Sequence, residues 1–99
     1  MNYDLSVKAR IDLQDIWLYT YENWSVEQAD MYVTLLIDEM ARHSRNPPLG
    51  RDRSQLTTNY KSFQFKSHIV FYREKVNKRK IEIIRILHKS MDIENRLRD

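Results

Sequence analysis

Apolar residues recur at helical spacing in the first half of the chain and form two runs, each preceded by a serine. The first run follows Ser6 and the second follows Ser25, and both serines are suited to accept a hydrogen bond from a free N–H of the first helical turn. Gln28 completes a capping box with Ser25. The apolar positions are Ala9, Leu13, Ile16, Trp17, Thr20 and Trp24, then Ala29, Tyr32, Val33, Leu36, Ile37 and Met40. The short link predicts a helical hairpin with Trp17 and Trp24 inside, between hairpin and sheet, and with Trp24 able to pack on Ala29.

The second helix is expected to end before Pro47 and Pro48, because proline lacks an N–H and disfavours helical backbone in the residue before it. Gly50 is the only glycine, and we expect it at a turn position that needs a positive φ. The polar and basic residues 49–59 then predict a loop.

The remaining pattern is typical of strands. Asn2 to Leu5 predicts a short first strand, and residues 60–65, 68–72 and 81–87 are rich in β-branched and aromatic side chains. Residues 81–87 place apolar groups on both faces, which indicates a central strand with cover on both sides. The segment 91–97 predicts a short helix or tail that could supply the second cover. The order is β-α-α-β-β-β, an α+β domain with the hairpin on one face of a mainly antiparallel sheet.

Length and composition indicate one domain over residues 1–99, since 99 residues with 41% hydrophobic content can bury one core but not two. The chain has no cysteine, no pattern of a signal peptide and no apolar run long enough for a membrane span, so we expect a cytoplasmic protein without a membrane partner. Residues 1–50 carry four Lys/Arg against eight Asp/Glu, whereas residues 51–99 carry thirteen against six. This segregation favours an anionic or acidic partner.

Few residues point to catalysis or metal binding. His68 and His88 lie at the two ends of predicted strands, where a hydrogen-bonding role is the simpler interpretation, and His43 lies in a last helical turn, where it suits the helix dipole. No His, Asp or Glu pair has convincing metal-ligand spacing, so we expect no metal and no cofactor. On the first helix, Ile11 and Leu18 fall opposite the apolar stripe, and a partner could cover them.

Five short motifs occur in order along the chain. The first helix opens with LS-x-x-A-x-x-D-L-x-x-I at residues 5–16, and a Trp precedes Q-A-x-x-Y at residues 28–32. An NP-x-x-GR turn follows at residues 46–51, then H-x-x-F-YR at residues 68–73. The chain closes with RILH-x-x-MD at residues 85–92. In this combination the sequence resembles the ParE-type toxins of the RelE/ParE superfamily, from about Leu5 to Asp92.

The resemblance implies the fold above and the toxin component of a bacterial type II toxin–antitoxin system. It further implies a ParD-type antitoxin that wraps the toxin, contact with operator DNA only through that antitoxin, and DNA gyrase as the target. A higher-order toxin–antitoxin complex is also expected. We place antitoxin contacts at Ile11 and Leu18. The target contacts are expected in the basic C-terminal strand and tail, at Arg85, His88, Lys89, Arg96 and Arg98.

Two other functions fit parts of the sequence. The RelE branch shares the fold and cleaves mRNA on the ribosome. The residue types for that reaction are supplied by His68, His88, Arg73, Arg85, Lys61 and Lys66. RelE-like nucleases carry an aromatic residue near the C-terminal end, however, and here none follows Tyr72. Direct DNA binding is disfavoured because the basic cluster at residues 75–80 lies at a hairpin turn and no helix carries a basic face. Binding rather than catalysis is therefore the preferred interpretation.

Overall fold

The structure, a computed structural model, describes residues 2–98 and contains three helices and five strands. In chain order these are β1 (Asn2–Leu5), α1 (Val7–Asn23), α2 (Val26–Arg45), β2 (Arg51–Asp52), β3 (Lys61–Phe65), β4 (His68–Lys75), β5 (Lys80–His88) and α3 (Ile93–Arg98). Short 3₁₀ turns lie at Pro47–Leu49 and Val76–Lys78. The expected order is confirmed, with one addition: β2 lies within the segment predicted to be a loop.

The five strands form one mixed sheet in the order β1-β5-β4-β3-β2. Three neighbouring pairs are antiparallel, and β1 alone runs parallel to its neighbour, with Leu5 opposite Ile83. β5 is an interior strand, as its apolar pattern predicted. The β4–β5 register shifts between Phe71 and Tyr72, opposite a β-bulge in which β5 holds one extra residue.

Both helices begin where the sequence predicted. The Ser6 side chain accepts from the N–H of Ala9 at 3.0 Å, and the Ser25 side chain accepts from the N–H of Gln28 at 3.1 Å. The hairpin then packs on one sheet face through a core of buried apolar side chains. These are Ala9, Ile16, Leu36 and Met40 from the helices and Phe63, Val70, Tyr72, Ile81, Ile83 and Ile86 from the strands.

The expectation for the tryptophans was wrong. Trp24 is 65% exposed and makes an edge contact with Tyr19. Trp24 is the C-cap of α1, where the backbone leaves the helix, so helical spacing no longer sets the direction of its side chain. Trp17 is half-buried beside α2, where its Nε1 donates to Asp30 at 2.9 Å, and it does not join the core.

Gly50 has φ −72°, so the expectation of a positive φ is also wrong. The glycine is required by space instead. A Cβ at this position would lie 2.7 Å from Cζ of the Tyr72 ring and closer still to its hydroxyl. The Tyr72 hydroxyl donates to the carbonyl of Pro47 at 2.6 Å, which fixes the fully buried ring below the turn.

His43 differs from its expected role as a helix-end residue. It is 4% exposed, and its ring stacks on Phe63 with centroids 3.9 Å apart while its Nδ1 contacts the Glu39 carbonyl at 3.0 Å. His43 therefore belongs to the buried interior between α2 and β3.

The opposite face of the sheet is covered only locally. Phe71 and Leu87 are buried there, outside the core beneath the hairpin. The Arg53 guanidinium lies 5.7 Å from the centre of the Phe71 ring and its Nε donates to Ser62. α3 contacts β5, as expected of the C-terminal segment, although none of its residues is buried.

Candidate binding surface beside the first helix

β5 extends beyond β1, and α1 closes the edge that this leaves. β1 ends at Leu5, opposite Ile83, while β5 continues to His88. Ser6 donates from its hydroxyl to the Ile84 carbonyl at 2.7 Å. Two residues further along β5, the Ile86 N–H donates to the carboxylate of Asp12 at 2.9 Å. Side chains of the helix start therefore replace a neighbouring strand.

The same Asp12 carboxylate binds Arg85 in a bidentate ion pair. Arg85 donates from Nε at 2.8 Å and from Nη2 at 3.0 Å, and its Nη1 donates to the Arg96 carbonyl at 2.9 Å. The Arg85 side chain is only 11% exposed. Its charge is balanced inside the fold, so the structure gives Arg85 a role in joining α1, β5 and α3. This differs from the exposed target contact expected from the sequence.

A groove of about 690 Å³ lies between α1 and the end of β5. It meets a second cleft of about 310 Å³, which continues toward the C-terminal end of α1. Four residues line both: Tyr19, Thr20, His68 and His88. The lining of the groove includes Ile11, so it brings one predicted antitoxin contact close to three predicted target contacts, Arg85, His88 and Arg96.

The two histidines at the junction are engaged in hydrogen bonds. His68 and His88 are cross-strand partners, and their rings meet edge to face with centroids 5.4 Å apart. The Ser90 N–H donates to Nδ1 of His88 at 3.1 Å, so this nitrogen is an acceptor. The Tyr32 hydroxyl lies 2.6 Å from Nδ1 of His68. Both contacts match the hydrogen-bonding role that the sequence favoured.

Burial lowers the pKa of His68 to about 4, and the neighbouring His88 contributes in the same direction. Burial also raises the pKa of Tyr32. At neutral pH the phenol is therefore protonated and forms its hydrogen bond with a neutral His68. His68 consequently carries no charge to offer an anionic ligand.

The predicted target cations occupy different surroundings. Lys89, Arg96 and Arg98 are exposed at the end of β5 and on α3. Arg98 pairs with Glu94 at 2.8 Å, one helical turn earlier. Arg96 lines the groove beside His88, so these two predicted contacts are brought together.

The predicted antitoxin contacts lie on the outer face of α1. Ile11 is 49% exposed and Leu18 is 48% exposed, in agreement with their position opposite the core stripe. They lie seven positions apart, which is nearly two helical turns, so they share one face. Val7 and Tyr21 are exposed on the same face and extend it toward both helix ends.

Sequence reasoning missed Tyr19 among the residues that line the clefts, and it named Lys66 only as a residue type that a nuclease could use. Tyr19 follows Leu18 on α1, so helical spacing could have indicated that its side chain lies on one flank of the face that holds Leu18. Lys66 adopts φ 51° in the two-residue turn between β3 and β4, and its Nζ lies 5.7 Å from the Tyr32 ring centre. The short link between two strands was the available signal for that turn.

Within residues 2–98, no group of three or more His, Cys, Asp or Glu side chains could hold a metal ion. In the same part of the chain, no helix is long and apolar enough to cross a membrane.

Comparison with known proteins identifies the family of this chain. Residues 3–93 match the family model of the ParE toxin of the type II toxin–antitoxin system parDE. The chain belongs to the ParE toxin family. It is 40% identical over 90 residues to Toxin ParE1 of Caulobacter vibrioides, which spans 91% of both chains. It is 35% identical over 95 residues to Toxin ParE1 of Mycobacterium tuberculosis, which spans 96% of both.

A solved structure shares the fold of this ParE-family chain. It is described as the chromosomal ParDE toxin–antitoxin system from P. aeruginosa and superposes with a TM-score of 0.76 at 19% identity. The match covers 89% of this chain and 95% of the other. The family and the fold therefore agree with the resemblance found in the sequence motifs.

Proposed function

We propose that this ParE-family toxin acts in the bacterial cytoplasm by binding DNA gyrase and so blocking replication, without catalysing a reaction of its own. The observation that carries the proposal is the groove at the end of β5, with exposed Lys89 and Arg96 beside it. Such a surface offers shape and positive charge to an acidic partner.

The chemistry beside the groove supports binding over turnover. Cleavage of RNA by its 2′-hydroxyl needs a base, an acid and a cation placed at the phosphate. Here Nδ1 of both His68 and His88 is engaged in a hydrogen bond within the fold. The Arg85 guanidinium, which lines the same groove as both histidines, is neutralised by Asp12. These groups support the structure of the site.

We further propose that a ParD-type antitoxin neutralises the toxin by crossing the outer face of α1 at Ile11 and Leu18, and that operator DNA is contacted only through it. The two half-exposed side chains offer apolar area that an amphipathic segment would bury. Expression without this antitoxin is expected to stop bacterial growth.

The target proposal is tested by two assays on the purified chain. Supercoiling of relaxed plasmid by gyrase is followed with increasing toxin, and cleavage of mRNA is followed on translating ribosomes. Inhibition of supercoiling at near-stoichiometric toxin, with mRNA intact, is the expected result. Ribosome-dependent cleavage that is lost in His88→Ala, with supercoiling unaffected, would instead establish a RelE-type endoribonuclease.

A matched pair of charge variants locates the contact. The double variant Lys89→Ala/Arg96→Ala removes two exposed cations at the groove, and Lys78→Ala/Arg79→Ala removes two at the opposite end of the sheet. We expect the first to weaken inhibition and make it more sensitive to salt, because screening acts most strongly on exposed charge. Equal weakening by both pairs would refute a specific contact at the groove.

The antitoxin contact is tested by Leu18→Asp, with Leu35→Asp as the control. Leu35 is 40% exposed on α2, so both changes place a carboxylate on a partly exposed helix surface. Leu18→Asp is expected to weaken antitoxin binding by at least about tenfold, the equivalent of ~1.4 kcal/mol. Unchanged affinity would place the antitoxin elsewhere on the toxin.

A further inference from the structure

The exposed face of α1 has the spacing of a helix-packing seam. Its residues follow one another at intervals of four, three, four and three, which is the heptad pattern of helices that pack side by side. We call these residues the α1 seam: Val7, Ile11, Gln14, Leu18 and Tyr21. All five are exposed, and the sheet and α2 lie on other sides of the helix. The pattern indicates that the occupant of the seam is another helix.

The charged residues at the two ends of α1 are placed unfavourably with respect to its helix dipole. Lys8 and Arg10 lie near its start, where negative charge is favourable, and Glu22 lies in its last turn, where positive charge is favourable. None of these three residues, nor Asp15, has an ion-pair partner among residues 2–98. An isolated helix gains nothing from this arrangement, whereas an antiparallel helix with the same arrangement would complement it.

We propose that a second copy of this chain packs antiparallel on the α1 seam, about a two-fold axis between Gln14 and Asp15. Lys8 of each copy then lies opposite Glu22 of the other, which makes two equivalent ion pairs. Ile11 meets the partner's Leu18, and Gln14 lies near the axis, where a single polar residue sets the register. Asp15 also lies close to the axis, where it faces Asp15 of the other copy and forms the one like-charge contact.

The seam is sized for a reversible dimer. α1 has 17 residues and is therefore about 25 Å long, which allows four layers of side chains. A cleft of about 280 Å³ opens along one flank at Arg10, Gln14 and Trp17, where it can receive a large side chain from the partner. One helix face buries less than a standard interface, so we expect association at roughly micromolar concentrations.

The self-association does not depend on the proposed target or antitoxin. It uses the face on which we place Ile11 and Leu18 as antitoxin contacts, so the second copy and the antitoxin would exclude each other there. The toxin surface would then be covered in both the free and the neutralised state.

Sedimentation velocity of the purified chain, from about 1 to 300 µM, tests the dimer across the range of affinity expected of a small interface. Lys8→Glu and Glu22→Lys should each weaken dimerisation by about tenfold, because either change converts both ion pairs into like-charge contacts. The double variant Lys8→Glu/Glu22→Lys should restore wild-type dimerisation, since the charges are exchanged in both copies. Met31→Asp, at an exposed residue of α2, is the control and should leave dimerisation unchanged.

Circular dichroism of each variant separates a lost interface from lost folding. A double variant as weak as the single ones would overturn the antiparallel arrangement, because only that arrangement pairs residue 8 with residue 22. A wild-type chain that stays monomeric at all concentrations would overturn the proposal. If Leu18→Asp weakened antitoxin binding in that case, the α1 seam would belong to the antitoxin alone.

Discussion

Replacing Asp12 by Ala removes the group that joins α1 to β5 at the edge of the sheet. Its carboxylate accepts three hydrogen bonds, two from Arg85 at 2.8 and 3.0 Å and one from the Ile86 N–H at 2.9 Å. The two side chains are 12% and 11% exposed, so little water is available to replace the lost contacts. The variant therefore leaves a nearly buried guanidinium and a strand N–H without this acceptor.

The magnitude follows from the cost of removing one partner of a largely buried ion pair. Removing one partner of a buried ion pair costs roughly 3–5 kcal/mol, and the residual exposure favours the lower end, about 3 kcal/mol. That is a large share of the roughly 5–15 kcal/mol that stabilises a small domain. In a domain of this size, each kcal/mol lowers Tm by about 4–8 °C, so Tm should fall by roughly 12–24 °C.

Thermal and urea unfolding at pH 7, followed by circular dichroism, measure the loss. Asp15→Ala is the control, because Asp15 lies one turn along α1 and is exposed. In Asp12→Ala/Arg85→Met the guanidinium is removed together with its carboxylate partner, so the double variant should recover at least about 1 kcal/mol relative to additivity. A loss below about 1 kcal/mol for Asp12→Ala, or a loss equal to that of Asp15→Ala, would refute the argument.

Three further predictions use the same unfolding measurements. Gly50→Ala should lower the free energy of unfolding by about 1–3 kcal/mol through overpacking against Tyr72. In a chain that already carries Tyr72→Leu, most of this cost of Gly50→Ala should disappear. An equal cost of Gly50→Ala with Tyr72 and with Leu at position 72 would instead assign the cost to the backbone conformation of residue 50. Trp24→Ala should cost less than about 1 kcal/mol, because the side chain is 65% exposed, whereas a loss of 3–5 kcal/mol would place it in the core. Because the folded pKa of His68 is lowered to about 4, the unfolded chain binds its proton first as pH falls below about 6.5. Stability should therefore decrease between about pH 6.5 and 4; the full shift equals about 3 kcal/mol, and partial exposure reduces the expected loss to about 1–2 kcal/mol. His68→Gln should flatten this part of the profile, and an unchanged slope in that variant would assign it to other groups.

Local patterns in the sequence were sufficient for the helices and most strands. Ser6 and Ser25 cap their helices as predicted because a cap involves only residues within one turn. The apolar periods likewise identified β4, β5 and the outward direction of Ile11 and Leu18, since side-chain direction within a regular element follows from its repeat. Trp24 marks the limit of this reasoning, because the repeat ends where the helix ends.

The partners of each element were decided only by the tertiary structure. Gly50 was correctly recognised as unusual, but its reason lies in the ring of Tyr72, which a turn preference cannot reveal. Arg85 looked like one more cation in a basic C-terminal half, and its neutralisation by Asp12 joins residues 73 positions apart. The parallel pairing of β1 with β5 is equally distant in sequence.

The candidate binding surface likewise combines features that follow from the sequence with features that only the tertiary structure determines. Its exposed apolar residues on α1 follow from helical spacing, whereas the groove exists because β5 continues past the end of β1 and α1 crosses the open edge. Strand length and helix spacing are local properties, determined by side-chain pattern and capping. Which edge remains open, and which charges are left without partners beside it, depends on how those elements pack, because a contact between distant residues leaves no periodic trace in the sequence.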